Sequence, residues 1–77
     1  MQIDIRLYGT LRNHLPEEKR GKTSMTLSSD AIIQDVLDEL GIADYVIVAV
    51  NDEQERDPNS SLQAGDTLRI FEVAAGG

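Results

Sequence analysis

The sequence predicts an α+β domain, one sheet of four or five short strands with a single main helix lying across one of its faces. Three observations carry this expectation. The stretches MQIDIRLY and TLRIFEV alternate apolar and polar residues, as half-buried strands do. Ile33, Val36, Leu37 and Leu40 recur at i, i+3, i+4 and i+7, the spacing of one helix face. YVIVAV is a continuous β-branched run of strand length.

Each element has its own local reason. In the first strand Ile3, Ile5 and Leu7 share one face, and Gln2, Asp4, Arg6 and Tyr8 share the other. Gly9 breaks that strand. Thr10 can cap a helical turn, Leu11 and Leu15 are i,i+4 neighbours, and Pro16 forbids continuation, so GTLRNHLP predicts a short helix. EEKRGK is a polar turn around Gly21, and TSMTL alternates again with Met25 and Leu27 on one side, forming a second strand paired with the first. Ser28, Ser29 and Asp30 are all able to cap the main helix, the β-branched AII delays its start, and Gly41 stands where a left-handed C-terminal cap belongs. YVIVAV fits a strand covered on both sides or lying inside the sheet. NDEQERDPNSS is a turn followed by a short polar edge segment, LQAGD is a further turn, and TLRIFEV is the last strand.

Composition narrows the function. Seventy-seven residues suffice for a single core, expected to span 1–77 as one domain, but not for a scaffold plus an enclosed catalytic cavity. A net charge of −7 disfavours phosphate backbones and anionic lipid and suits basic protein partners, so neither nucleic acid nor membrane is expected as a target. No apolar run approaches the roughly 20 residues of a membrane span, and the N-terminus lacks the order of a signal peptide, so a cytoplasmic location is expected. Without cysteine there is neither a disulfide nor a thiol nucleophile nor a thiolate metal site.

The candidate chemistry inside the domain is sparse. His14 has no second histidine or cysteine with which to build a metal site or a triad, and reads as a solvated surface residue. NDEQERD lacks the central glycine and the spaced glutamate of a calcium loop, and reads as an exposed turn. Asp35, Asp38 and Glu39 occupy the helix face opposite Val36 and Leu40, where charge serves solvation. If Leu68 and Ile70 point at the helix, then Arg69, Phe71 and Val73 point away from it, together with Tyr8. Two of the three aromatic residues would then share the uncovered face, as a partner surface or as an edge sealed by loops. By elimination the chemistry is absent or lies at the end of FEVAAGG, where Gly76 and Gly77 follow Ala74 and Ala75.

The order of elements and the pieces IRLYGTLRNHLP, VAVN, LQAGDTLRIFEV and AAGG resemble, over essentially the whole chain, the β-grasp fold of ubiquitin-like proteins. More narrowly they resemble the bacterial and archaeal sulfur carriers of the MoaD and ThiS family. The resemblance implies a mixed sheet with one main helix and a flexible C-terminal diglycine tail over 73–77. It implies that Gly77 works through its α-carboxylate, with Gly76 beside it. An E1-like enzyme of the MoeB or ThiF type would adenylate that carboxylate with ATP, and a sulfur donor would displace AMP to leave a thiocarboxylate. An acyl adenylate has a good leaving group where a carboxylate has none. The chain would itself be a non-catalytic co-substrate with no bound cofactor or metal, and Tyr8, Arg69, Phe71, Val73, Ala74 and Ala75 would meet its partners. Glycine lacks a Cβ and can thread a narrow channel. At about 3.3 Å per residue the four residues after Val73 reach roughly 13 Å.

Two pathways stay open. The inserted helix TLRNHL between the first two strands, and the interface position of Phe71, resemble MoaD, the small subunit of molybdopterin synthase. That implies a large MoaE-type subunit as partner. MoaD tails carry two prolines where this chain has Glu72 and Val73, and FEVAAGG is closer to ThiS, which implies thiazole synthase and thiamin synthesis. The inserted helix is the larger structural commitment and favours molybdopterin. A ubiquitin-like protein modifier joined to lysines through Gly77, and a plain β-grasp interaction module, are the other classes that the sequence permits.

Overall fold

The sheet is built outward from its two ends of sequence. In the computed structural model, which describes residues 1–43 and 45–73, β1 (Gln2–Leu7) and β5 (Thr67–Glu72) lie side by side and parallel. β2 (Lys22–Thr26) pairs antiparallel with β1. β3 (Val46–Val50) pairs antiparallel with β5, and β4 (Glu53–Glu55) forms the other edge, giving the order β2-β1-β5-β3-β4. One helix, α1 (Ile33–Leu40), packs across one face, the β-grasp arrangement expected from the sequence.

The alternation places the core. Ile3, Ile5, Leu68 and Ile70 from the central pair are wholly screened from solvent, with Val36 and Ile33 of α1 packed above them and Leu7, Leu11, Ile42 and Leu62 around the rim. Burying one such side chain contributes about 1.5–3 kcal/mol, so this single layer of contacts dominates the stability.

Helix α1 starts at Ile33, and none of Ser28, Ser29 and Asp30 caps it. Ser28 Oγ instead donates to Asp30 Oδ1 at 2.7 Å, and Asp35, one turn inside the helix, accepts from the Ile32 N–H at 2.9 Å. The first turn is thus capped from within. At the other end the Gly41 N–H donates to Asp38 O at 3.1 Å and the Ile42 N–H to Leu37 O at 2.9 Å, with Gly41 at φ 74° and Ile42 buried. These are the paired bonds of a Schellman stop.

The GTLRNH segment is a 3₁₀ helix, Gly9–His14, with Leu11 turned into the core. Its flanking residue is Tyr8 rather than Thr10, and Tyr8 makes no side-chain cap. His14 Nδ1 lies 3.1 Å from Leu40 O, so this exposed histidine ties the 3₁₀ helix to the end of α1. β3 does lie inside the sheet, but only one of its faces is covered. Val48 is buried and Val46 and Val50 pack on the core, whereas Ile47 is 37% exposed. The β3–β4 hairpin turns on Asn51 and Asp52, both at positive φ, in the type I′ manner whose twist suits adjacent strands. Asn51 Nδ2 donates to buried Asp66 at 2.8 Å, and its Oδ1 accepts from the Thr67 N–H at 2.9 Å, bolting that hairpin to the start of β5.

Candidate functional site

Because β5 alternates, consecutive residues serve opposite faces. Leu68 and Ile70 enter the core, and Arg69 and Phe71 emerge on the open face with Tyr8 from the end of β1. The Tyr8 and Phe71 rings stack with centroids 4.5 Å apart and planes 10° from parallel. Such a pair contributes about 0.5–1.5 kcal/mol beyond area burial and makes both rings rigid. Ile47 stands in register with Phe71 on the neighbouring strand, and Val73 follows with 45% exposure. Together they form a contiguous apolar strip at the root of the tail, of the aromatic-rich kind that marks protein interfaces. Arg69 borders it, its Nη1 bonded to Asp52 Oδ1 at 2.8 Å.

Three successive residues of β5 are fastened to the segment after β1. The Tyr8 N–H donates to Ile70 O at 3.1 Å, Tyr8 stacks on Phe71, and the Thr10 N–H donates to the Glu72 carboxylate. The Thr10 hydroxyl and backbone N–H hold the Glu72 carboxyl below the usual carboxylate range. Gly9, at φ 61°, brings its backbone against that carboxylate, where a Cβ would collide with Oε1. This clamp is not legible in the sequence. Its partners are 62 residues apart, and no local pattern joins them. Tyr45, 89% exposed, was also missed, because YVIVAV reads as uniformly buried.

Ala74, Ala75, Gly76 and Gly77, on which the thiocarboxylate expectation falls, lie outside the described residues. Among the described residues no group of three His, Asp or Glu side chains is placed to hold a metal ion, and no helix is long and apolar enough to cross a membrane. Asp38 and Glu39 are exposed on the outer surface of α1, where Asp38 Oδ1 accepts from Gln34 Nε2 at 2.8 Å.

The model of the ThiS family matches residues 5–77. The chain belongs to the ThiS family. No curated protein matches the sequence. SAMP1 from Haloferax volcanii, small archaeal modifier protein 1, shares the fold at TM-score 0.76 and 20% identity, with both chains covered in full. The Haloferax volcanii HVO 2177 protein superposes at TM-score 0.79 and 23% identity over 100% of this chain and 87% of the other. A chain from the complex of subunits 1 and 2 of molybdopterin-converting factor from Helicobacter pylori superposes at TM-score 0.64 and 20% identity, with both chains covered in full. The family match places the chain in the MoaD and ThiS family, and these neighbours share its ubiquitin-like fold.

Proposed function

We propose that this ThiS-family chain carries sulfur on the Gly77 carboxylate. The observation that carries the proposal is the family match itself, which runs through residue 77 and so takes in the AAGG ending. The carboxylate attacks the α-phosphate of ATP on an E1-like enzyme, releasing pyrophosphate. Hydrosulfide then displaces AMP with loss of a proton, leaving a thiocarboxylate. The chain acts as co-substrate rather than catalyst. Tyr8, Arg69, Phe71 and Val73 form the partner surface, while Ala74, Ala75 and Gly76 span the distance to the partner's active site.

The receiving pathway is molybdopterin synthesis with a MoaE-type large subunit. In its favour are the 3₁₀ segment inserted between β1 and β2 and the likeness to a chain of a two-subunit molybdopterin-converting factor. Thiamin thiazole synthesis is the other carrier pathway, favoured by the ThiS match. The likeness to a small archaeal modifier favours a further role, attachment of Gly77 to lysines, which isopeptide-linked peptides in a host extract would reveal.

The test is intact mass after incubation with ATP, sulfide and the host's activating enzyme. Exchange of one carboxylate oxygen for sulfur adds about 16 Da and must localise to the C-terminal peptide. Removing Gly76 and Gly77, or adding one residue after Gly77, should abolish the change without unfolding the protein. An extended variant that still acquires sulfur untrimmed would refute the mechanism.

A further inference from the structure

The chain is acidic as a whole, yet its charges are segregated. Five of its seven Lys and Arg residues, Arg6, Arg12, Lys19, Arg20 and Lys22, fall within the first 22 residues. The register then does something that neither charge nor sequence shows. Arg6 on β1 stands directly opposite Lys22 on β2 and directly opposite Arg69 on β5. Lys22, Arg6 and Arg69 therefore form one cross-strand row over three adjacent strands on the open face, one step from the Tyr8–Phe71 stack. Lys19 borders the same shallow depression as Arg6 and Lys22. Two carboxylates share this side, Asp4, which borders the same depression, and Asp52, which pairs with Arg69, whereas Asp35, Asp38 and Glu39 are on α1, and Glu53 and Glu55 share the parity of Val50 and Val48, which face the helix side.

Like charges directly opposite one another on a sheet are destabilising. Arg69 is partly relieved by Asp52, but Arg6 and Lys22 have no ion pair among the described residues. A row that weakens the isolated fold, beside an exposed aromatic strip, is explained if something else neutralises it. We propose that the open face docks a partner protein whose matching surface is acidic, opposite to what the net charge of −7 suggests. The partner is the protein that receives the tail, which rests on the carrier function proposed above. A protein rather than a nucleic acid is favoured because the row adjoins apolar and aromatic side chains, while 14 carboxylates repel a phosphate backbone.

Two arms test this. In the first, the wild-type protein is titrated with a hexaglutamate peptide and, separately, with hexathymidylate, following backbone amide shifts. The peptide should perturb β1, β2 and β5 around Arg6, Lys22 and Arg69, with the footprint fading at 0.5 M salt. No footprint there, or a tighter one from the oligonucleotide, overturns the proposal. In the second, Arg6→Gln/Lys22→Gln is compared with Arg56→Gln, a cation off this face. The double variant should melt higher than wild type, yet lose on the order of tenfold in kcat/KM with the activating enzyme at low salt, through KM, with the loss shrinking as salt rises. Arg56→Gln should do neither. Unchanged KM, or self-association of the wild-type protein that the double variant abolishes, overturns the proposal. If the enzyme never acts on wild type, the carrier function fails and the peptide footprint alone decides the docking face.

Discussion

Ile70 and Phe71 are neighbours on one strand and belong to different halves of the molecule. On the helix side of the sheet Ile3, Ile5, Leu68 and Ile70 see no solvent and share a core with Ile33 and Val36. On the other side Arg6, Tyr8, Ile47, Arg69 and Phe71 have no covering layer among the described residues. The first face is chosen by the need to bury apolar surface. The second keeps features that folding rewards less, a partly exposed aromatic pair and a row of three cations that folding does not reward at all. A residue's parity on β5 therefore tells which kind of loss its substitution causes.

The largest expected effect breaks the buried side. Ile70→Ala should cost about 2–5 kcal/mol through lost transfer energy and the cavity left behind. In a domain of this size each kcal/mol lowers Tm by about 4–8 °C, so thermal melts read the effect directly. Phe71→Ala, one residue on and only half-buried, should cost less, about 1–3 kcal/mol from the lost stack and partial burial together, while sharply weakening the activating-enzyme reaction. Equal destabilisation by the two would show that the open face is part of the fold's support and not a reserved surface.

A smaller effect sharpens the boundary between the faces at the β1–β2 connection. Gly21 lies at φ 75°, and a Cβ there would come within 2.6 Å of Leu7 O and 2.9 Å of Arg12 Cγ. Its N–H and C=O neighbourhood matters as well, because the Leu7 N–H donates to Gly21 O at 2.7 Å. Gly21→Ala should cost about 1–3 kcal/mol by forcing a left-handed residue against backbone. Gly41→Ala, at nearly the same φ but facing open space, isolates the conformational part of that cost. Equal urea midpoints for the two variants would mean that contact with Leu7 contributes nothing.

What was legible in the sequence follows from range. Alternation placed Ile3, Ile5, Leu7, Leu68 and Ile70 on one face, and helical spacing placed Ile33, Val36, Leu37 and Leu40 against them, because both patterns are local and driven by burial. The parity argument also put Tyr8 and Phe71 on the same face, though not in contact. The delay of the helix start past AII was legible, but its cap was not, because three good candidates precede it while the real cap, Asp35, acts backward from inside the helix. The buried Asp66 and its bonds to Asn51 were invisible, since LQAGD reads as an ordinary turn until β3 is brought beside β5. The cation row needed the register as well: Arg6, Lys22 and Arg69 are unremarkable until three strands align them. The tail residues 74–77 lie beyond what the structure describes, so their role rests on sequence and family.

The smallest expected effect concerns the point where the two faces meet the tail. Glu72 has the parity of Ile70 but sits past the end of the core, and its carboxylate is held by the Thr10 hydroxyl and backbone N–H in competition with desolvation. Those donors favour the ionised form, so the folded pKa lies below the unfolded value of about 4.3. The stabilisation is therefore fully present above that value and is lost as pH falls through the folded pKa. Glu72→Gln cannot titrate, so the Tm advantage of wild type over the variant should be constant near neutral pH and shrink as pH falls below the unfolded value of about 4.3. A difference that stays flat from pH 7 to pH 3 would mean that Thr10 and Glu72 are not coupled, and that the strand end is held by the Tyr8–Phe71 stack and the Tyr8–Ile70 hydrogen bond alone.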